Sequence, residues 1–353
     1  MPPTTPHNAV EVSSPEPAGQ GAPANFGSVR DEFRALTSTC GAYDLSSRVK
    51  IRLTGSDRIR WLNGMVTNNV RDLKAGHGVY AFLLNPQGHI LGDLFAYNRG
   101  DNVLIDTDQF QLEKILATFD HYIIMDDVEV TNVSEKLTAV GVAGPNAEAV
   151  LRSAGLEVPE LGPLQVADLT WQQIDINVIR GEHAQYPSYE IWIAPDRANK
   201  LGEALHASGA VPAGQEALEL LRIALGVPHY AQDIRERDLP QETEQQRALN
   251  FNKGCYIGQE IVERIRSRGN VHRKFTGFLV AGPPPAPGTK IQVQAKDVGE
   301  ITSSATIPAS KGEQTAALGY IRREIGIPGK QVQIAESSAT VSDLPFIDLI
   351  RTS

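Results

Sequence analysis

Apolar and charged residues alternate through Val49-Lys50-Ile51-Arg52-Leu53, the period-two pattern of a strand with one covered face. Ser56 is placed to cap a helix over Asp57–Leu62. Tyr80–Leu84, His89–Tyr97 and Val103–Asp106 are apolar stretches divided by Asn85-Pro86-Gln87-Gly88 and Asn98-Arg99-Gly100-Asp101-Asn102. Both dividers are rich in turn formers, which predicts an antiparallel meander. A helix from about Phe110 to Tyr122 and a strand over Val128–Val133 follow. Strand, helix, meander, helix and strand in that order make a split βαβ, ferredoxin-like unit over about residues 50–135.

The pattern then starts a second α/β unit. Leu137–Val142 reads as a strand and Asn146–Ser153 as a helix; Ile174–Ile179 and Tyr189–Ile193 alternate as strands, and helices are expected at about 197–207 and 214–225. Pro283-Pro284-Pro285-Ala286-Pro287-Gly288 is stiff and turn-forming. From about Lys274 short strands dominate, namely Phe275–Val280, Lys290–Val293, Ala317–Ile321 and Gln331–Ile334, so residues 274–353 are expected to form a small β-barrel. A short helix at Arg30–Leu36 opens the folded part, residues 28–273 forming one region before the barrel. Residues 1–27 are rich in Pro, Thr, Ser, Ala and Gly and are expected to be a disordered tail. The fold class is therefore α+β.

Composition narrows the chemistry. A chain of 353 residues exceeds one ordinary core. A net charge of −9 argues against general nucleic-acid binding, although a local basic patch stays open. Two cysteines, Cys40 and Cys255, give neither a disulfide framework nor a CxxC metal site, which suits a reducing cytoplasm. His89, His121, His229 and His272 lack ligand spacing, so no metal is assigned. No apolar run reaches the length of a membrane span.

The most distinctive stretch is Lys253-Gly254-Cys255-Tyr256-Ile257-Gly258-Gln259-Glu260. Ile257, Ile261 and Ile265 recur at helical spacing, and Glu260 and Arg264 stand four apart in the favourable order. Cys255 is thus expected just before or inside the first turn of a helix, where the macrodipole and Lys253 would favour a thiolate. The glycines at 254 and 258 would admit a ligand close to the backbone. A small packed cysteine beside a turn is the other reading, and Cys40 has only that structural one.

This octapeptide resembles the K-G-C-Y-x-G-Q-E motif of the YgfZ branch of the glycine-cleavage T-protein superfamily. Tyr43–Arg48, Gly55-Ser56-Asp57, Trp61–Gly64, Val66–Asn69, Leu221-Arg222-Ile223, Gly226-Val227-Pro228 and Ser342–Phe346 extend the resemblance over roughly residues 30–350. It implies a ring of two α/β units and a C-terminal barrel around a tetrahydrofolate pocket. It also implies a role in assembly or repair of iron–sulfur clusters in client enzymes, with a link to tRNA modification. T-proteins of the same superfamily transfer an aminomethyl unit to tetrahydrofolate instead.

The resemblance assigns Glu190, beside Tyr189, to the pterin, whose adjacent N–H donors suit one carboxylate. It assigns Arg222 to the glutamate carboxylate of folate, and Asp106 to a position where T-proteins usually carry asparagine. A solvent-facing strand carboxylate and a helix-end cation are the plain alternatives for Glu190 and Arg222. T-proteins carry Asp-Asp-Leu where this chain has Gly92-Asp93-Leu94, so Asp93 is the one surviving carboxylate and aminomethyl transfer is the weaker reading. Arg264, Arg266, Arg268, Arg273 and Lys274 form a basic run that could meet a polyglutamate tail, an acidic partner or tRNA phosphates, or be a solvated helix face. The expected function is a cytoplasmic, folate-binding accessory protein with Cys255 as its working thiol. A one-carbon transferase and a client scaffold are the alternatives.

Overall fold

A computed structural model describes residues 22–183, 187–269, 271–309 and 312–350. Helix α1 (Val29–Ser38) and strand β1 (Gly41–Asp44) lead into the first unit. That unit runs β2 (Arg48–Thr54), α2 (Arg58–Met65), β3 (His77–Leu84), β4 (Ile90–Asn98), β5 (Val103–Asp108), α3 (Leu112–Tyr122) and β6 (Glu129–Asn132). Its five-stranded sheet has the order β3-β4-β5-β2-β6, which is the expected split βαβ arrangement with one added edge strand. Ile51, Leu53, Ala81, Leu94, Ala96 and Ile105 point from one face into a core shared with Trp61 and Leu62 of α2 and Ile115 and Phe119 of α3. Ser56 does not cap α2 as expected: its hydroxyl donates to Asp127 Oδ2 at 2.8 Å, and Asp57 takes the cap position.

The second unit comprises β7 (Thr138–Ala143), α4 (Ala147–Ser153), β8 (Val166–Trp171), β9 (Ile174–Arg180), β10 (Ser188–Ile193), α5 (Pro195–Ala207), β11 (Val211–Pro212) and α6 (Gln215–Leu225). Its sheet runs β11-β1-β7-β10-β9-β8, so β1 crosses back to join it. Val140, Val142, Tyr189 and Ile191 face helices α4 and α5. Residues 1–21 of the expected tail lie outside the described residues. Residues 22–27, also assigned to it, are held: the carbonyls of Pro23 and Ala24 accept the first-turn N–H groups of Gln215 and Glu216 at 3.1 and 2.9 Å.

After α7 (Gln259–Arg268) come β12 (Arg273–Val280), β13 (Lys290–Val293), β14 (Lys296–Ala309), β15 (Gly312–Arg322), β16 (Gln331–Ile334) and β17 (Ser337–Ser342), closed as a barrel, and then α8 (Ile347–Ile350). Closure removes the two edges that an open six-stranded sheet would expose. Phe275, Ile307, Ala316 and Leu318 on the barrel wall pack against α1 and α6, tying barrel to second unit. Two further apolar clusters lie on the second face of the first sheet. One joins Tyr80, Phe82 and Leu84 to Tyr230, Leu249 and Tyr256, and the other joins Tyr97 and Leu104 to Trp192. Both faces of that sheet are therefore covered.

Candidate functional site

That second face is where polar side chains collect. Strand alternation puts Arg48 and Lys50 of β2, Tyr80 of β3, Asp93 and Phe95 of β4, and Asp106 and Asp108 of β5 on the same side. Glu190 and Trp192 of β10 come toward it from the second unit. Tyr80, Phe95, Tyr97 and Trp192 make a continuous aromatic row with ring-centroid separations of 5.0, 6.4 and 5.1 Å. Tyr80 carries Asp93 at one end, its hydroxyl donating to Oδ2 at 2.6 Å. Trp192 carries Glu190 at the other, its indole N–H donating to Oε2 at 3.2 Å. Arg48, Asp93, Phe95, Asp108 and Glu190 are half-buried, while Tyr80, Tyr97 and Trp192 support them from within.

Asp93 is held on two sides. Besides Tyr80, the side-chain amide of Gln111 donates to Oδ1 at 2.8 Å and accepts the Asp93 backbone N–H at 3.0 Å. Burial and then the Asp108 charge push the Asp93 carboxyl above the usual range, against the donors of Tyr80 and Gln111. Gly92 faces the other way: a Cβ there would lie 2.9 Å from Gln111 Oε1 and 3.8 Å from Ile115, under α3. Of the two positions compared in the sequence, only 93 looks onto the aromatic row. Glu190 is likewise raised, by burial and by Asp106, against Arg48 and Lys50.

Three residues assigned to cofactor binding are engaged elsewhere. Asp106, 1 % exposed, takes Lys50 Nζ on Oδ1 at 2.5 Å and Arg48 on Oδ2 at 2.5 and 2.7 Å. Burial pushes its carboxyl up, but the two cations outweigh this and hold it below the usual range. Tyr189 points to the opposite face of β10, where its hydroxyl donates to Glu148 at 2.8 Å, because neighbours on a strand alternate. Arg222 uses all five guanidinium donors inside the protein. Nε and one NH2 proton go to Glu219, NH1 goes to Asp233 and the Val227 carbonyl, and NH2 also reaches Ser303 Oγ, all at 2.6–2.8 Å. It pins the end of α6 to the barrel strand β14.

The Lys253–Glu260 segment is a loop that meets a helix later than expected. α7 begins at Gln259, with Gly258 at the cap in the left-handed region (φ 80°), so Cys255 stands outside the first turn. Lys253 is buried, and its ammonium donates to the carbonyls of Asn63, Val66 and Asn68 at 2.6, 2.6 and 2.7 Å, closing the end of α2. Burial, then the nearby Arg71, push its pKa down to about 7. Tyr256 is buried beside Tyr80 and Phe82, and burial pushes its phenol up to about 12. Gln259 Oε1 accepts the Tyr256 N–H at 3.3 Å. A Cβ on Gly258 would lie 2.6 Å from the Asn85 carbonyl oxygen, so the glycine lets the loop rest on the β3–β4 turn; one on Gly254 would lie 3.0 Å from Arg71. Cys255 and Glu260 are exposed; buried Cys40 has its thiol pushed up to about 11.

The basic run does not form one patch. Arg264 is exposed, Arg266 pairs with Glu263 at 3.6 Å and lies 4.5 Å over the Phe251 ring, and the Arg268 side chain is outside the description. Arg273 turns inward to Glu242 and Asp238 at 2.9 and 2.7 Å. Lys274 lines a cavity of about 460 Å³ with Glu182, His183, Arg247, Phe275 and Leu344, between the second unit and the barrel. Arg247 ties this cavity to the Asp93 site: it pairs with Glu182 and stacks 4.2 Å over the Tyr80 ring.

Sequence reasoning missed Tyr80, Gln111, Arg48, Lys50, Trp192 and Arg247. Part of the signal was present, since Lys50, Asp93 and Asp106 share the face opposite to Ile51, Leu94 and Ile105. Gln111 and Arg247 lie outside the strands and left no periodic mark.

Comparison with known proteins agrees with this architecture. Residues 8–253 match the family described as the GCVT N-terminal domain. An aminomethyltransferase of Halothermothrix orenii is 27% identical over 93% of this chain and 94% of its own, and one of Rubrobacter xylanophilus is 28% identical over 96% and 92%. A chloroplastic protein of Arabidopsis thaliana, described as a transferase, is 25% identical over 96% of this chain and 79% of its own. The crystal structure of the glycine cleavage system aminomethyltransferase T from Bartonella henselae superposes with a TM-score of 0.81, covering 91% of this chain and 90% of that one at 22% identity. The shared fold includes both α/β units and the barrel.

Proposed function

Because the chain belongs to the GCVT family, we propose that it is a tetrahydrofolate-binding protein that serves iron–sulfur enzymes through Cys255. Tetrahydrofolate is the family's cofactor, and the residues on the second face of the first sheet fit it. The half-buried carboxylates Glu190 and Asp93 bracket the aromatic row. Flat rings suit that row, and a carboxylate suits the paired N–H donors of a pterin. Glu190 would hold the pterin edge and Asp93 a nitrogen farther along. Asp106, neutralised by Arg48 and Lys50, positions the strand rather than the ligand.

The observation that carries the client role is Cys255. Lys253, Tyr256 and Gly258 fasten the loop to α2 and to the β3–β4 hairpin, and the thiol between them is left exposed. That hairpin also bears Asp93, so the loop is built onto the wall of the proposed folate site. One cysteine does not hold a cluster, so any cluster contact is shared with a client or a second copy. Cys255→Ala should keep tetrahydrofolate affinity and lose support of client iron–sulfur enzymes, including those that modify tRNA, in cells lacking the wild-type protein. Full client activity with that variant would remove the thiol from the mechanism and leave the scaffold reading.

A second reading, one-carbon transfer, is favoured by the doubly held Asp93 with its raised pKa and by the aminomethyltransferase relatives. Formation of 5,10-methylene-tetrahydrofolate from an aminomethyl-lipoyl donor by the purified protein would establish it.

A further inference from the structure

We propose that Gln111 is a positioning residue that fixes the rotamer and the protonation of Asp93. The inference deepens the reading above, since it rests on Asp93 facing the bound folate. Gln111 stands just before α3, is 1 % exposed, and grips Asp93 twice, through the carboxylate Oδ1 (2.8 Å) and the backbone N–H (3.0 Å). Such a two-point contact determines which way the amide faces, because only the NH2 can donate to the carboxylate and only the carbonyl can accept the N–H. It does so just past the end of β5, whose ladder with β4 stops at Phe95↔Asp106, so the Gln111 carbonyl takes the Asp93 N–H beyond the paired strands. A Cβ at residue 92 would fall 2.9 Å from Gln111 Oε1 and push the amide off its present position. Gly92 and Gln111 thus form one device.

The device opposes the surroundings of Asp93. Asp108 on β5 disfavours the carboxylate, as does burial, while Arg48 on β2 and the Tyr80 hydroxyl on β3 favour it. Arg247 and Tyr230 face the same group from the following loops. A donor to the ionised form lowers a carboxyl pKa, so removing the Gln111 amide must raise that of Asp93.

The test is the pH titration of the Asp93 side-chain carboxyl in the full chain, followed by carbon-13 NMR without ligand, alongside tetrahydrofolate affinity across the same pH range. Gln111→Met should move the Asp93 titration upward by roughly one unit, a typical effect of losing one donor to a carboxylate. It should weaken tetrahydrofolate binding several-fold on the acidic side while sparing it at pH 8. Gly92→Ala should reproduce the shift by displacing the amide, and the double variant should add little to either single one. Gln111→Glu, which keeps the shape should the methionine variant fail to fold, should shift the titration further. An Asp93 titration unchanged in Gln111→Met or in Gln111→Glu overturns the proposal, as does an affinity loss equal at every pH. If the wild-type protein binds no tetrahydrofolate, the folate reading fails, and the NMR titration still decides the role of Gln111.

Discussion

Two regions of this molecule bury a lysine, and they use it differently. Lys50 lies between the first sheet and Trp192 of the second unit, 5.0 Å from that ring and 2.5 Å from Asp106. Lys253 lies at the end of α2, where its hydrogen bonds go to three backbone carbonyls and its ammonium sits 5.0 Å over the Tyr256 ring. The first is a charge neutralised by another charge, at the seam of two units. The second is an amine whose pKa burial has lowered to about 7, held by backbone dipoles and fastening a loop to a helix. Removing Asp106 strands a full cation in the interior, whereas disturbing the loop costs geometry more than charge.

The seam should therefore be the more fragile. Asp106→Asn takes the carboxylate from Lys50 and leaves Arg48 with Asp108 at 3.2 Å, and should lower stability by about 3–5 kcal/mol in urea melts at pH 7. Because the folded-state pKa of Asp106 lies below its unfolded value, its contribution is complete above the ordinary carboxylate range and disappears as pH falls through the folded value. The gap between wild type and variant should accordingly close in acid. A loss below about 1 kcal/mol at pH 7 would mean that the ion cluster does not hold the seam.

Gly258→Ala tests the loop side. A positive φ and a Cβ 2.6 Å from the Asn85 oxygen should together cost about 1–3 kcal/mol. Wild-type stability in that variant would show that the β3–β4 turn yields freely and that the loop is not fastened there. Cys255→Ala should produce the smallest change, within about 0.5 kcal/mol of wild type, because the thiol is exposed. A larger loss in thermal melts would assign the cysteine to packing.

How much of this was visible beforehand depends on the range of the interactions. Local pattern suffices for the helices, the meander and four of the six barrel strands, whereas β8, β14 and β17 were not read and closure joins β12 to the distant β15 and β17. Alternation in Val49–Leu53 was equally clear, yet Lys50 is fully buried, because alternation distinguishes two faces and is silent about what covers the second. The cover is Trp192, far along the chain. Arg222 shows the same limit: its partner Ser303 lies 81 residues away, so a cation free at the end of a helix in sequence is saturated in the fold. Asp93 was singled out from its residue type alone, while its orientation is set by the Tyr80 hydroxyl and the Gln111 side chain, neither of which the local sequence announces. The cysteine motif was legible as a unit, though its lysine, tyrosine and glycines prove to be fasteners and its helix starts later than the apolar spacing suggested.

The doubly covered sheet has a consequence for synthesis on the ribosome. When β6 emerges, the first unit can already bury its α2 and α3 face, but Lys50, Asp106 and Tyr97 still await Trp192. At roughly 5–20 residues per second, the nascent chain carries an unfinished, partly charged surface for several seconds. A pause in translation shortly before β10 would prolong its exposure to aggregation more than a pause anywhere in the barrel.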